Sequence, residues 1–223
     1  MSEHVRRRSI YADRLLDFPE IVFSAGREFS KRGMWREHFG LDRLIFEIGC
    51  NDAALLASVA AKHRSVGFVG IDWKCRAVHS AAERVAAAGL KNVILLNARA
   101  QDIRRIFADE EVDEVWVFHP EPCERPRELG NRLLNRMFLL DVHAVLCDEN
   151  SRLIVKTDHR EYFQWLESQV PEGFELAARS EDYWADERGR EADKRLFHSE
   201  PTFFERRFMK KRKPIHYLEL RKC

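Results

Sequence analysis

From residue 44 onward the chain alternates between two hydrophobic rhythms: short unbroken apolar runs, and longer stretches with an apolar residue every third or fourth position. The runs at 44–49, 66–72, 92–97, 112–118 and 152–157 are too short for helices and suit strands covered on both faces. Between them, 53–62, 75–88, 129–146 and 160–170 have helical spacing. Asn51 and Asp52 offer side-chain caps for the first of these helices, and Gly89 stops the second. Strand and helix in strict alternation predict a doubly wound, mainly parallel α/β sheet, here of seven strands. Two later strand-like pieces, 174–178 and 216–220, flank a charged stretch and predict an antiparallel edge. Residues 1–40 are expected to form an N-terminal extension, lying over the site or partly mobile, and 41–223 the main domain. The Phe and Trp content of the extension argues against full disorder.

A chain of 223 residues, 45% of them hydrophobic, buries one sizeable core. Its charges nearly cancel to +1, which excludes a global attraction to nucleic acid. Any RNA contact must therefore be local. Two clusters suit it, Arg6–Arg8 and the group Arg206, Arg207, Lys210, Lys211, Arg212 and Lys213, although each is also what a solvated surface looks like. The five cysteines are widely spaced with no C-x-x-C pair, so reduced thiols and no metal centre are expected. No apolar run approaches a bilayer span and the N-terminus lacks a signal-peptide core. The expectation is a cytoplasmic protein without a membrane partner, monomeric or a homodimer.

In an open parallel sheet, ligands bind beyond the carboxyl ends of the strands, so the residues just after each run carry the chemistry. Glu47-Ile48-Gly49 ends the first run, with Gly49 where backbone must approach a ligand closely. Asp72 ends the second, where an acid reaches the hydroxyls of an adenosine ribose. A dinucleotide competes for the same geometry, but its fingerprint needs three glycines and this loop supplies Gly49-Cys50-Asn51-Asp52-Ala53. An acid two residues before the first glycine is instead similar to the nucleoside-methyltransferase pattern. The fourth run ends in Phe118-His119-Pro120-Glu121-Pro122-Cys123, a proline-stiffened loop suited to hold an acceptor in line with a transferable methyl group. An acceptor nitrogen with a free lone pair needs positioning and a nearby carboxylate, for which Glu121 and Asp158 are candidates.

Several separate blocks, in order and spacing, resemble the tRNA (guanine-N7)-methyltransferase family from about Leu44 to Leu220. They are Phe46-Glu47-Ile48-Gly49-Cys50, Gly70-Ile71-Asp72, Gly89-Leu90-Lys91-Asn92-Val93, Pro120-Glu121-Pro122, Arg132-Leu133-Leu134, Thr157-Asp158 and Pro201-Thr202-Phe203-Phe204-Glu205-Arg206. The resemblance implies a Rossmann-like class I methyltransferase that uses S-adenosylmethionine. It implies a cofactor pocket of Glu47, Gly49, Cys50, Asn51, Asp72, Trp73, Arg99, Ala100 and His119. It also implies Glu121 and Asp158 as catalytic groups, with Arg125, Asp158, Thr202 and Glu205 toward the substrate.

The chain departs from the family at several points. Asn51 and Ala53 replace glycines, and Arg99 stands where an acid is expected to hold the adenine amino group. The segment 120–128 loses an aromatic residue and gains acids. A small nitrogen heterocycle is therefore a competing acceptor to tRNA, and a non-catalytic RNA- or protein-binding homologue is a second alternative. Pro122-Cys123 adds a third, a thiolate mechanism like that of the cytosine-C5 enzymes.

Overall fold

The computed structural model describes residues 10–186 and 195–223, so the Arg6–Arg8 run lies outside the described residues. Eight strands form one sheet: β1 (Val22–Phe23), β2 (Arg43–Ile48), β3 (Val66–Ile71), β4 (Val93–Leu96), β5 (Glu114–Phe118), β6 (Arg152–Thr157), β7 (Phe174–Ser180) and β8 (His216–Lys222). Their spatial order is β1-β4-β3-β2-β5-β6-β8-β7, all parallel except β8, which runs antiparallel to both neighbours. The strand order reverses between β2 and β5, the crevice where doubly wound sheets bind ligands.

The unbroken apolar runs are explained by coverage on both faces. One face packs Leu44, Phe46, Ile48, Val115, Val117 and Val155 beneath α5 (Ile103–Ile106), α6 (Arg136–Val145) and α7 (Arg160–Gln169). The other packs Ile45, Phe68, Leu95 and Trp116 beneath α3 (Ala54–Lys62) and α4 (Cys75–Ala87). On its β6–β8 half, this second face is covered by Tyr183, Trp184, Leu196 and Phe197, followed by helix α8 (Phe203–Lys210).

Three elements differ from the sequence expectation. The eighth strand comes from the N-terminal segment: Val22 and Phe23 pair with Leu95 and Leu96 at the sheet edge. That segment also contains two short helices, α1 (Ile10–Arg14) and α2 (Trp35–Phe39). Tyr11 packs edge-on against His79 of α4 with ring centroids 5.4 Å apart, and the Trp35 indole N–H donates to the Ile106 carbonyl at 2.9 Å. The described part of the extension is thus built into the layer structure. Finally, the helix expected over 129–146 divides into a 3-10 turn, Pro126–Asn131, and α6, because Arg132 turns back to donate to the Pro122 carbonyl at 2.9 Å and Asn135 caps a fresh helix through the Phe138 N–H.

Candidate active site

The loop after β2 is held from beneath and left open above. The Gly49 and Cys50 N–H groups both donate to the Ile71 carbonyl, at 2.9 and 3.1 Å, which folds the loop over the end of β3. Gly49 takes φ +77°, and a Cβ there would meet no atom within 4 Å, so the glycine is needed for its backbone and faces free space. Gly70 has the opposite reason: a Cβ there would strike Leu56 at 2.8 Å and Cys50 at 3.0 Å. Asn51 and Ala53 both adopt left-handed backbone, φ 50° and 51°, so the loop keeps a glycine-like path without the glycines. Asp52 restrains it, accepting from the Ala54 N–H at 3.3 Å and from the Arg84 guanidinium at 2.7 Å.

Beside this loop stand the two acids expected from the sequence. Glu47 is buried near the end of β2, and its Oε2 has no hydrogen-bond partner among the described residues. Burial, reinforced by the charge of Asp52, pushes its pKa up to about 8. Asp72 follows β3, its Oδ1 accepting from the Lys74 N–H at 2.8 Å, while Asn97 ties the next strand end to it by donating to the Asp72 carbonyl at 3.1 Å. Trp73 is 63% exposed at the rim with the Lys74 ammonium 5.3 Å from its ring. Arg99 is exposed as well, and Ala100 begins the short 3-10 turn after it.

Across the β2–β5 crevice lies a second group. His119 follows β5 in a left-handed conformation, φ 55°, locked by its N–H donating to the Lys156 carbonyl at 2.7 Å. Its Nδ1 lies 3.4 Å from Asp158 Oδ1, and Asp158 Oδ2 is paired with the Lys213 ammonium. Burial pulls the Asp158 pKa up, but hydrogen bonds from His119 and Lys213 outweigh it and hold the carboxyl well below the usual carboxylate range. Asp158 is therefore a fixed anion. It lines a cleft of about 1010 Å³ with Glu124, His159, Glu181, Lys213 and His216. Glu121 and Arg125 are exposed on the loop after β5, Arg125 lying 3.4 Å from Glu128.

Thr202 and Glu205 are brought to the same side of the sheet by α8. Thr202 Oγ1 accepts the Glu205 N–H at 3.0 Å and the Glu205 carboxylate accepts the Thr202 N–H at 2.5 Å, a complete capping box. The other Glu205 oxygen lies 3.1 Å from the Lys156 ammonium, and both side chains are 0% exposed. Lys156 also faces the rings of Tyr183 at 4.2 Å and Phe197 at 4.5 Å. The sequence reading passed over Lys156, although a lysine within a run otherwise reading as a two-faced buried strand was a visible signal. Lys213 was expected to meet phosphate; the fold gives it to Asp158 instead.

Cys123 is half-buried at φ 48°, and burial, with Glu121 and Glu128 adding to it, pushes its thiol pKa up. A thiolate nucleophile needs the opposite environment.

Among the described residues, no helix is long and apolar enough to cross a membrane. A family model described as "Putative methyltransferase" matches residues 42–218. The tRNA (guanine-N(7)-)-methyltransferase of Geobacillus kaustophilus is 33% identical over 176 residues, covering 78% of this chain and 80% of that protein. That of Streptococcus mutans is 29% identical over 219 residues, covering 97% and 99%. Among solved structures, the 16S rRNA methyltransferase KamB shares the fold at a TM-score of 0.61, with 19% identity over 90% of this chain and 95% of that one. A crystal structure of an antibiotic-related methyltransferase does so at 0.59, with 16% identity over 86% and 94%. With a doubly wound sheet and relatives matching along most of both chains, this chain is a methyltransferase and belongs to the tRNA (guanine-N7)-methyltransferase family.

Proposed function

We propose that this methyltransferase takes its methyl group from S-adenosylmethionine and delivers it to N7 of a guanine in tRNA. The observation that carries the reading is the pairing of two half-sites across the β2–β5 switch: an open loop with a buried, unpartnered Glu47 oxygen on one side, and the fixed Asp158 anion in its cleft on the other. The acceptor follows the named activity of the relatives.

The residues present fit a cationic nucleoside. Glu47 has an acceptor oxygen for the ammonium of a methionyl end, and Asp72 keeps one carboxylate oxygen for ribose hydroxyls. Gly49 gives the close approach, Cys50 and Asn51 shape the loop, and Trp73, Ala100 and Arg99 border the adenine side, with His119 closing the crevice from β5. Held by Glu47 and Asp72, the cofactor would supply an electrophilic methyl group on a sulfonium, with its sulfur departing as a neutral thioether. N7 needs no proton removed. The protein's task is alignment and stabilisation of the positive charge that develops on the purine.

Asp158 suits that task because each of its oxygens retains a lone pair beside the His119 or Lys213 contact, and because it stays ionised. Glu121 adds a second carboxylate at the approach, and Arg125 a cation for the polyanion. On this reading Thr202 and Glu205 act through α8, by fixing where that helix meets the cleft.

Asp158→Asn is expected to lower kcat for tRNA about 100-fold or more, with S-adenosylmethionine affinity by calorimetry nearly unchanged. Equal rates in the two proteins would remove Asp158 from the chemistry. Radiolabelled methyl incorporation into unmodified tRNA, run beside a panel of free purines, tests the acceptor: label in the purines alone would assign a small heterocycle instead. Cys123→Ala should methylate at the wild-type rate, since its thiol is held protonated; abolished activity would reinstate a covalent mechanism.

A further inference from the structure

The two phenylalanines that stand exposed among the described residues are neighbours, Phe203 at 59% and Phe204 at 43%, and both open α8. Two large apolar rings left in water at one spot call for a partner. These rings begin a ladder that leads inward. Phe203 and Phe204 meet edge-on at 5.7 Å, Phe204 stacks on Phe208 at 6.3 Å and 22°, and both Phe204 and Phe208 lie against His119, at 6.0 and 5.5 Å. The Lys213 ammonium that pairs with Asp158 sits 5.0 Å from the Phe208 ring. An exposed aromatic surface is thus continuous with the loop that would hold the acceptor.

The charge around it is one-sided. Arg206, Arg207, Lys210, Lys211 and Arg212 are all exposed, and none has an acidic partner among the described residues. Elsewhere surface cations are commonly paired, as in Arg84–Asp52, Lys62–Glu200, Arg104–Asp109 and Arg179–Glu167. Five unpaired, exposed cations within seven consecutive positions thus form a dense local cluster on a chain whose net charge is only +1. Base-stacking rings flanked by five exposed cations match single-stranded nucleic acid better than a lipid or an apolar protein face.

We propose that Phe203 and Phe204 form a stacking platform for an unpaired base of the bound RNA, next to the guanine being methylated, and that the five cations of 206–212 hold the flanking phosphates. The proposal rests on the tRNA reading, and it names the surface that grips the substrate. The capping box fixes the backbone at the first turn of α8, and the Lys156–Glu205 pair anchors that turn from below.

The test is tRNA binding by fluorescence anisotropy at fixed salt, for wild type, Phe204→Ala, Phe204→Trp and Phe203→Ala, with S-adenosylmethionine calorimetry and thermal melting on each as fold controls. Phe204→Ala should weaken RNA binding roughly 5- to 100-fold, and Phe204→Trp should retain it. Arg207→Ala with Lys211→Ala should flatten the plot of log affinity against log salt by roughly 1.5. Wild type binding tRNA with Phe204→Ala binding equally well would overturn the platform and leave the acceptor reading standing. Wild type failing to bind tRNA at low salt would overturn both.

Discussion

Glu205→Ala is expected to lower the stability of the fold by about 3–5 kcal/mol, the cost of stranding a buried ammonium without its carboxylate. For a chain of this size that is a fall of about 6–20 °C in melting temperature. The Lys156 ammonium is 0% exposed and cannot turn to water. Its ring contacts, 4.2 Å to Tyr183, 4.5 Å to Phe197, 5.1 Å to Phe118 and 5.3 Å to Trp184, ease the charge but do not neutralise it. Thr202→Ala is the internal ruler, since it removes one cap bond and should cost only about 1 kcal/mol. Restoring balance with Lys156→Met in a Glu205→Gln background should recover most of the loss, as replacing a whole buried pair is far milder than halving it. Melting of Glu205→Ala within a degree or two of Thr202→Ala would show that the pair carries little.

The second large effect concerns Glu47, whose pKa stands at about 8 in the folded chain against an ordinary 4.5. Between those values the folded protein holds a proton that the unfolded chain has released. The contribution of this group to stability is therefore fully present below about 4.5 and is lost as pH climbs toward 8, by at most about 1.4 kcal/mol per pH unit. Glu47→Gln should abolish that slope and be the more stable protein at pH 8.5. The same change should weaken S-adenosylmethionine binding, because the cationic ligand stabilises the ionised carboxylate that glutamine lacks. At pH 7, wild-type binding should release close to one proton, visible as a calorimetric enthalpy that varies with the buffer's ionisation heat. A buffer-independent enthalpy would detach Glu47 from the ligand. Gain in stability with loss of binding is the mark of a group kept for function against the interest of the fold.

Most of the sheet was legible because burial on both faces erases the two-residue alternation and leaves unbroken apolar runs. The strand expected at 152–157 is β6, residue for residue, and that at 66–72 overshoots β3 by one. β1 left no trace, since two residues cannot display a period and their pairing with β4 depends on a neighbour more than seventy positions away. The 129–146 helix failed for a local reason: Leu129, Leu133 and Leu134 have helical spacing, but the Arg132 bond to Pro122 turns the chain before Asn135 restarts it. Of the site, the strand-end residues Glu47, Gly49, Asp72, His119 and Asp158 could be read, because a parallel sheet brings all its carboxyl ends to one edge. The Lys213 contact with Asp158, and the approach of Phe204 to His119, could not. They depend on where α8 and β8 return to the sheet, and no local pattern encodes that.

β8 lies between β6 and β7, though it is made after both. While the ribosome is still adding residues 181–215, β7 has no neighbour to pair with, and the wall of the cleft formed by Glu181 and His216 does not exist. Strands β1 to β5 can condense as they emerge; the cleft around Asp158 closes only when 216–222 slots into its gap. A nascent chain would thus complete the proposed donor site before the proposed acceptor cleft exists.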